Sequence, residues 1–99
     1  MRSEVSLNSV VVASKNQISN DLGGEAAILD LEAGVYYGLD EVGARIWELI
    51  QEPRAANEVR DVLLAEYDVE PERCEHDLLA LLQRLADEGL IEVVGEAPA

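Results

Sequence analysis

An α+β domain, a three-stranded antiparallel sheet followed by three helices, is what this 99-residue sequence predicts, and three observations carry the prediction. Hydrophobic residues alternate at period two up to about Leu39 and recur every three or four residues beyond it. Gly23-Gly24 and Gly34 punctuate the first half at the spacing of short hairpins. Asp40, Pro53, Pro71 and Gly89 stand where helices would start and stop in the second half.

Taken in order, residues 1–15 form an N-terminal arm or supply a further strand at Val10 to Ala13; the sequence leaves both open. The first strand of the sheet spans Gln17 to Leu22 and the second Glu25 to Leu31. In the second, Ala27, Leu29 and Leu31 share one side and Ile28 and Asp30 the other, the alternation of a half-buried antiparallel strand. After Glu32-Ala33-Gly34 comes a short third strand, Val35, Tyr36, Tyr37, Gly38 and Leu39, which a meander leaves as an edge.

Asp40 caps a helix over roughly Glu41 to Gln51, because its carboxylate accepts from the first free amides. Val42, Ile46, Leu49 and Ile50 make its buried stripe, with Trp47 beside them, and Pro53 stops it. A second helix covers about Ala56 to Glu66, with Val59, Val62, Leu63 and Tyr67 apolar. Ala55 stands where Ser or Thr would complete a capping box with Glu58, so the first turn is expected to fray. Pro71 opens a third helix that reaches Glu88, carrying Cys74, Leu78, Leu81, Leu82 and Leu85 in a stripe that Leu79 widens. Gly89 reads as its left-handed cap, with Leu90 folding back on Leu85. With the alternating Ile91 and Val93 after it, this order resembles a winged helix-turn-helix, and residues 95–99 are expected as a flexible tail.

Charge narrows the function. Seven Lys and Arg against 21 Asp and Glu leave −14, and residues 1–39 hold only −3 of it. Nucleic-acid affinity comes chiefly from cations displacing counterions, and the third helix carries Glu72, Glu75, Asp77, Asp87 and Glu88 against Arg73 and Arg84, so nucleic acid is excluded as a partner. Anionic membranes are excluded by the same sign. A hydrophobic content of 48% argues for a folded core, though a thin one, since a domain this small buries only roughly 60–65% of its unfolded surface. One cysteine permits no internal disulfide, and Cys74 with His76 is too few for a closed zinc site, so no metal or cofactor is expected. No long apolar run marks a signal peptide or a membrane span, and the cytoplasm is the expected location.

No catalytic constellation is visible. Cys74 and His76 lie two apart on a helix, hence on different faces, so they form no nucleophile and base pair. Gly23-Gly24 is followed by no helix start or Lys, which removes a phosphate loop. All five serines, Ser3, Ser6, Ser9, Ser14 and Ser19, precede the helices, which removes a carrier protein with its arm on a helix-start serine. What remains is the edge strand beside a long helix: an edge accepts another chain through main-chain hydrogen bonds, and a helix wall selects its side chains. A purely structural role for Tyr36 and Tyr37 stands beside it.

The run Glu25-Ala-Ala-Ile-Leu-Asp-Leu-Glu-Ala-Gly-Val-Tyr-Tyr-Gly-Leu-Asp-Glu-Val-Gly-Ala-Arg-Ile-Trp-Glu-Leu-Ile, followed by Leu-Leu-Ala-Glu-Tyr-Asp-Val-Glu-Pro-Glu-Arg-Cys-Glu-His-Asp-Leu, resembles the PqqD family. More narrowly it is similar to the stand-alone leader-recognition proteins of lasso-peptide biosynthesis, over about residues 16–94. Ala55, where relatives often have Thr, departs from the pattern. The resemblance implies a non-catalytic recognition element for ribosomally made, post-translationally modified peptides. It places a precursor's leader in the cleft between the third strand and third helix, as a fourth strand. Carried onto this chain, the strand residues are Val35, Tyr36, Tyr37, Gly38 and Leu39, and the helix residues Cys74, Asp77, Leu78, Leu81 and Arg84. It also implies delivery to a separate leader peptidase, a transglutaminase-like cysteine protease, with a macrolactam cyclase downstream. The alternatives are a PqqD-like module of another modified-peptide pathway, and an acidic regulator, such as an antitoxin, that masks a basic protein.

Overall fold

Two small sheets, rather than one, come out of the period-two segments. The computed structural model describes residues 4–15, 17–21, 25–32 and 34–97. In chain order the elements are β1 (Ser9–Ala13), β2 (Gln17–Asp21), β3 (Ala26–Asp30), β4 (Val35–Leu39), α1 (Glu41–Leu49), β5 (Arg54–Ala55), α2 (Ala56–Glu66), α3 (Pro71–Asp87) and β6 (Ile91–Glu96). The expected antiparallel meander is β2-β3-β4, and the expected three helices follow it. The Gly23-Gly24 turn, with Leu22 before it, and Ala33 lie outside the described residues.

The second sheet settles the open end of the sequence reading. β1 lies between β5 and β6, antiparallel to both, with a register shift between Val10 and Val11. Its surroundings hold it there: the Val5 amide donates to Gln83 Oε1 at 2.8 Å, and Ser14 N donates to the Leu90 carbonyl at 2.9 Å. Residues 1–15 thus contain a strand, and Gly95 and Glu96, expected in a flexible tail, pair instead with Val10 and Ser9.

The core gathers Ile28 of β3, Ile50 after α1, Leu63 of α2 and Leu78, Leu82 and Leu85 of α3, all essentially inaccessible to water. β3 turns Ala26 and Ile28 into it, and Tyr37, the cross-strand partner of Ile28, packs against the same core. Leu29 and Leu31 stay 38% and 56% exposed on the outer side. Which side is buried follows from where the helices lie, since alternation fixes only that two sides exist.

The helix ends show the same division between local and tertiary causes. Asp40 Oδ1 accepts from Gly43 N at 2.8 Å, the expected cap. α1 stops at Leu49, short of the expected Gln51, and its last carbonyls are taken elsewhere: Gln51 Nε2 donates to Trp47 O, Arg54 Nε to Leu49 O, and Ala13 N to Ile50 O. α2 has no side-chain cap, as its alanine requires, yet the Asn57 amide donates to the Leu7 carbonyl at 2.9 Å and Ala55 N to Glu58 Oε1 at 3.4 Å. A neighbouring segment thereby satisfies a first-turn donor that the sequence reading left to fray. α3 ends as expected: Gly89 has φ +76°, its amide donates to Ala86 O, and Leu90 N donates to Leu85 O at 2.9 Å, the paired bonds of a Schellman ending. No helix among the described residues is long and apolar enough to cross a membrane.

Candidate functional site

Among the described residues, β4 is paired on one side only. Leu39, Gly38, Tyr37, Tyr36 and Val35 face Ala26, Ala27, Ile28, Leu29 and Asp30 of β3, and no described strand pairs with the other side. Its unpaired amides and carbonyls are a template for an incoming chain. β1, the segment that could have filled that margin, is committed to β5 and β6.

Where β4 runs into α1, a groove of about 400 Å³ opens. Gly38 and Leu39 form its strand side, Asp40, Val42, Gly43 and Ile46 its α1 side, and Leu63, Tyr67 and Val69 its end at the exit of α2. The wall from α3 is Arg73, Cys74, Asp77, Leu78 and Leu81. The helical repeat explains that wall: 74, 77, 78 and 81 recur three and four apart and so share one face.

Of the ten residues singled out in the sequence, six therefore meet in this groove: Gly38, Leu39, Cys74, Asp77, Leu78 and Leu81. Tyr37 and Arg84 form a separate pair, the guanidinium carbon lying 5.7 Å from the ring centroid. Tyr36 sits opposite Leu29 on the outer side of the sheet, 65% exposed and away from the groove. Val35 pairs opposite Asp30 at the start of β4.

Eight lining residues were not singled out. Val42 had been assigned to the buried stripe of α1, but it is 37% exposed and faces the groove, because the stripe is wider than the core it covers. Its place in the stripe was a signal that periodicity alone could not split into core and rim. Tyr67 and Val69 come from the end of α2 and the loop after it, which no local pattern connects to β4.

The groove is apolar at its floor and carries charge at its mouth. Arg73 Nε lies 3.7 Å from Asp77 Oδ2, both exposed. Burial, reinforced by Asp77 and Glu75, pushes the Cys74 thiol above the ordinary thiol value, and burial with Glu41 and Glu66 nearby raises the Tyr67 phenol. At neutral pH both are protonated weak donors. Cys74 is buried in the wall while His76 points to solvent, so the two do not meet. No group of three or more metal-ligating side chains occurs among the described residues. Such an arrangement suits apolar side chains delivered on an extended backbone.

Comparison with known proteins bears on the same elements. The family described as Coenzyme PQQ synthesis protein D (PqqD) matches residues 25–91, from the entry to β3 to the first residue of β6. The chain belongs to the PqqD family. Within that match lie β4, all three helices and every lining residue of the groove, whereas β1 and β2 fall outside it. Among solved structures, TbiB1 in complex with the TbiA(beta) leader peptide is 36% identical, with a TM-score of 0.78 over 86% of this chain and 99% of that one. A lasso peptide synthetase B1 complexed with the leader peptide is 23% identical, with a TM-score of 0.73 over 83% and 96% of the two chains. The PqqD truncation of Methylobacterium extorquens PqqCD, solved by NMR as a stand-alone recognition element for ribosomally synthesised and post-translationally modified peptides, is 20% identical, with a TM-score of 0.73 over 89% and 94%. The last two share the PqqD fold. No curated protein matches the chain.

Proposed function

We propose that this PqqD-family protein binds the leader segment of a ribosomal precursor peptide as an added strand on β4, seats the leader's apolar side chains in the groove against α3, and presents the complex to a separate leader peptidase in lasso-peptide maturation. The protein performs no chemistry in this reading; a cyclase acts later on the released core. The carrying observation is the unpaired side of β4 running directly into an apolar groove walled by α3. The 36% identity to TbiB1, a protein solved with a leader peptide, supports the same assignment. Main-chain pairing supplies affinity with little demand on guest sequence, while the groove adds selectivity for the guest's side chains.

The test is titration of a fluorescently labelled leader, taken from a short precursor sought among the neighbouring genes, into the purified protein. Saturable binding is expected, and Leu81→Asp, at a half-buried wall position, weakens it at least tenfold while circular dichroism stays unchanged. Leader cleavage by the pathway's leader peptidase is expected to accelerate on adding the protein. Absence of saturable binding by the wild type overturns the reading.

A further inference from the structure

We propose that Arg84 is the receptor for a carboxylate side chain of the guest, two residues along the guest from the apolar side chain that the groove takes. This rests on the strand-addition reading above. Four arginines stand on the helices, and three face carboxylates. Arg45 forks onto Glu66 at 2.8 and 2.7 Å, Arg60 meets Glu75 at 2.9 Å and Asp61 at 3.0 Å, and Arg73 lies 3.7 Å from Asp77. Arg84 has no described carboxylate within 4 Å; its partner is the face of Tyr37. Arg54, off the helices, donates to the Leu49 carbonyl, so among the described arginines Arg84 alone has neither a carboxylate nor a hydrogen-bond acceptor, in a chain with three times as many acids as bases.

The surroundings keep it that way. Burial, with Glu88 nearby, pushes the Tyr37 phenol up, and Glu88, one turn beyond Arg84, forms no described ion pair with that arginine. Tyr37 packs against the core and offers its ring to the guanidinium, whose carbon lies 5.7 Å from the centroid. A guanidinium held over a ring keeps N–H donors available for a bidentate carboxylate, which an ion-paired one does not.

Spacing then fixes the guest pattern. Tyr37 and Leu39 are two apart on the helix-facing side of β4, and Leu81 and Arg84 are one turn apart on α3. Leu39 and Leu81 line the groove, and Tyr37 with Arg84 brings the same strand and helix together one step beyond it. Two strand residues rise about 6.6 Å and three helical residues about 4.5 Å, so one step on each element stays within about 2 Å of the other. A guest strand beside β4 has the strand repeat, so the side chains reaching the two steps are separated by one residue whichever way the guest runs. The guest class is an extended peptide reading apolar-x-acidic or acidic-x-apolar.

The experiment uses the leader titrated above, with each Asp and Glu changed in turn to Asn or Gln, against wild type, Arg84→Gln and Arg84→Lys. One acid, two residues from an apolar residue that binding also needs, is expected to matter, its replacement weakening wild-type affinity about three- to tenfold. The same replacement has no further effect on Arg84→Gln, and Arg84→Lys keeps part of the preference. If Arg84→Gln leaves the affinity unchanged, or if it weakens every peptide by the same factor, the carboxylate role is overturned and Arg84 merely packs on Tyr37. In either case strong binding of the unmodified leader preserves the strand-addition reading, whereas no binding of that leader overturns both.

Discussion

At the scale of single residues, Gly43 is caught between two demands. A Cβ there would lie 3.2 Å from Asp40 Oδ1 and 3.3 Å from Leu39 Cβ, disturbing both the α1 cap and the strand side of the groove. Alanine in a helix, however, is favoured over glycine by about 1 kcal/mol. Gly43→Ala is therefore expected to change stability by less than about 1 kcal/mol while lowering leader affinity, a split that titration and urea unfolding resolve together. Gly89 has no such offset: its φ of +76° is one that side chains resist, and Gly89→Ala is expected to cost about 1 kcal/mol. Leu82 is wholly inaccessible in the core, so Leu82→Ala removes about 2–5 kcal/mol, a large part of what a domain of this size has. The emission of Trp47, the sole tryptophan and a buried one, reports each unfolding transition.

At the scale of elements, β4 carries the functional argument and the α1–α2 contact a stability argument. Successive amides of a strand point to opposite sides, so one of Tyr36 and Tyr37 donates toward β3 and the other toward the unpaired side. Proline at the outward position abolishes leader binding in a protein that still folds, because it deletes the donor. Unchanged affinity for both Tyr36→Pro and Tyr37→Pro, each shown folded by circular dichroism, counts against strand addition. Between α1 and α2, the Arg45 fork holds the Glu66 carboxyl below its usual 4.5. A carboxyl depressed in the folded state stabilises above the unfolded value and loses that contribution as pH falls through the folded one. Arg45→Gln should thus flatten the loss of stability below pH 4.5, measured as urea midpoints at several pH values; an unchanged slope removes the pair from the acid response.

At the scale of the molecule, fourteen net negative charges repel one another in the compact state, and most belong to the helical half. Raising salt from about 0.01 M to 0.15 M shortens the Debye length from about 30 to 8 Å, so the thermal midpoint is expected to rise over that range, the reverse of a protein held by surface ion pairs. The same field draws basic segments toward the protein, chiefly through the on-rate. Arg84 acts only at contact distance and the field at longer range, so a guest with one acid near the groove and basic flanks satisfies both. Association of such a guest slows with salt; a salt-independent on-rate removes steering from the account.

The sequence by itself determined the order of elements, the helix starts at Asp40 and Pro71, the Schellman ending at Gly89 and the free third strand, because each is written in local periodicity, capping or backbone freedom. It also carried the family, through an ordered run from Glu25 onward. Only the tertiary structure decided that Val10 to Ala13 joins a second sheet, that Ile28 rather than Leu29 faces the core, that Leu7 supplies a bond to the start of α2, and that Val42, Tyr67 and Val69 join α3 around one groove. Those outcomes depend on which surfaces meet when distant segments pack, and a pattern of two or 3.6 residues records a face without naming what covers it.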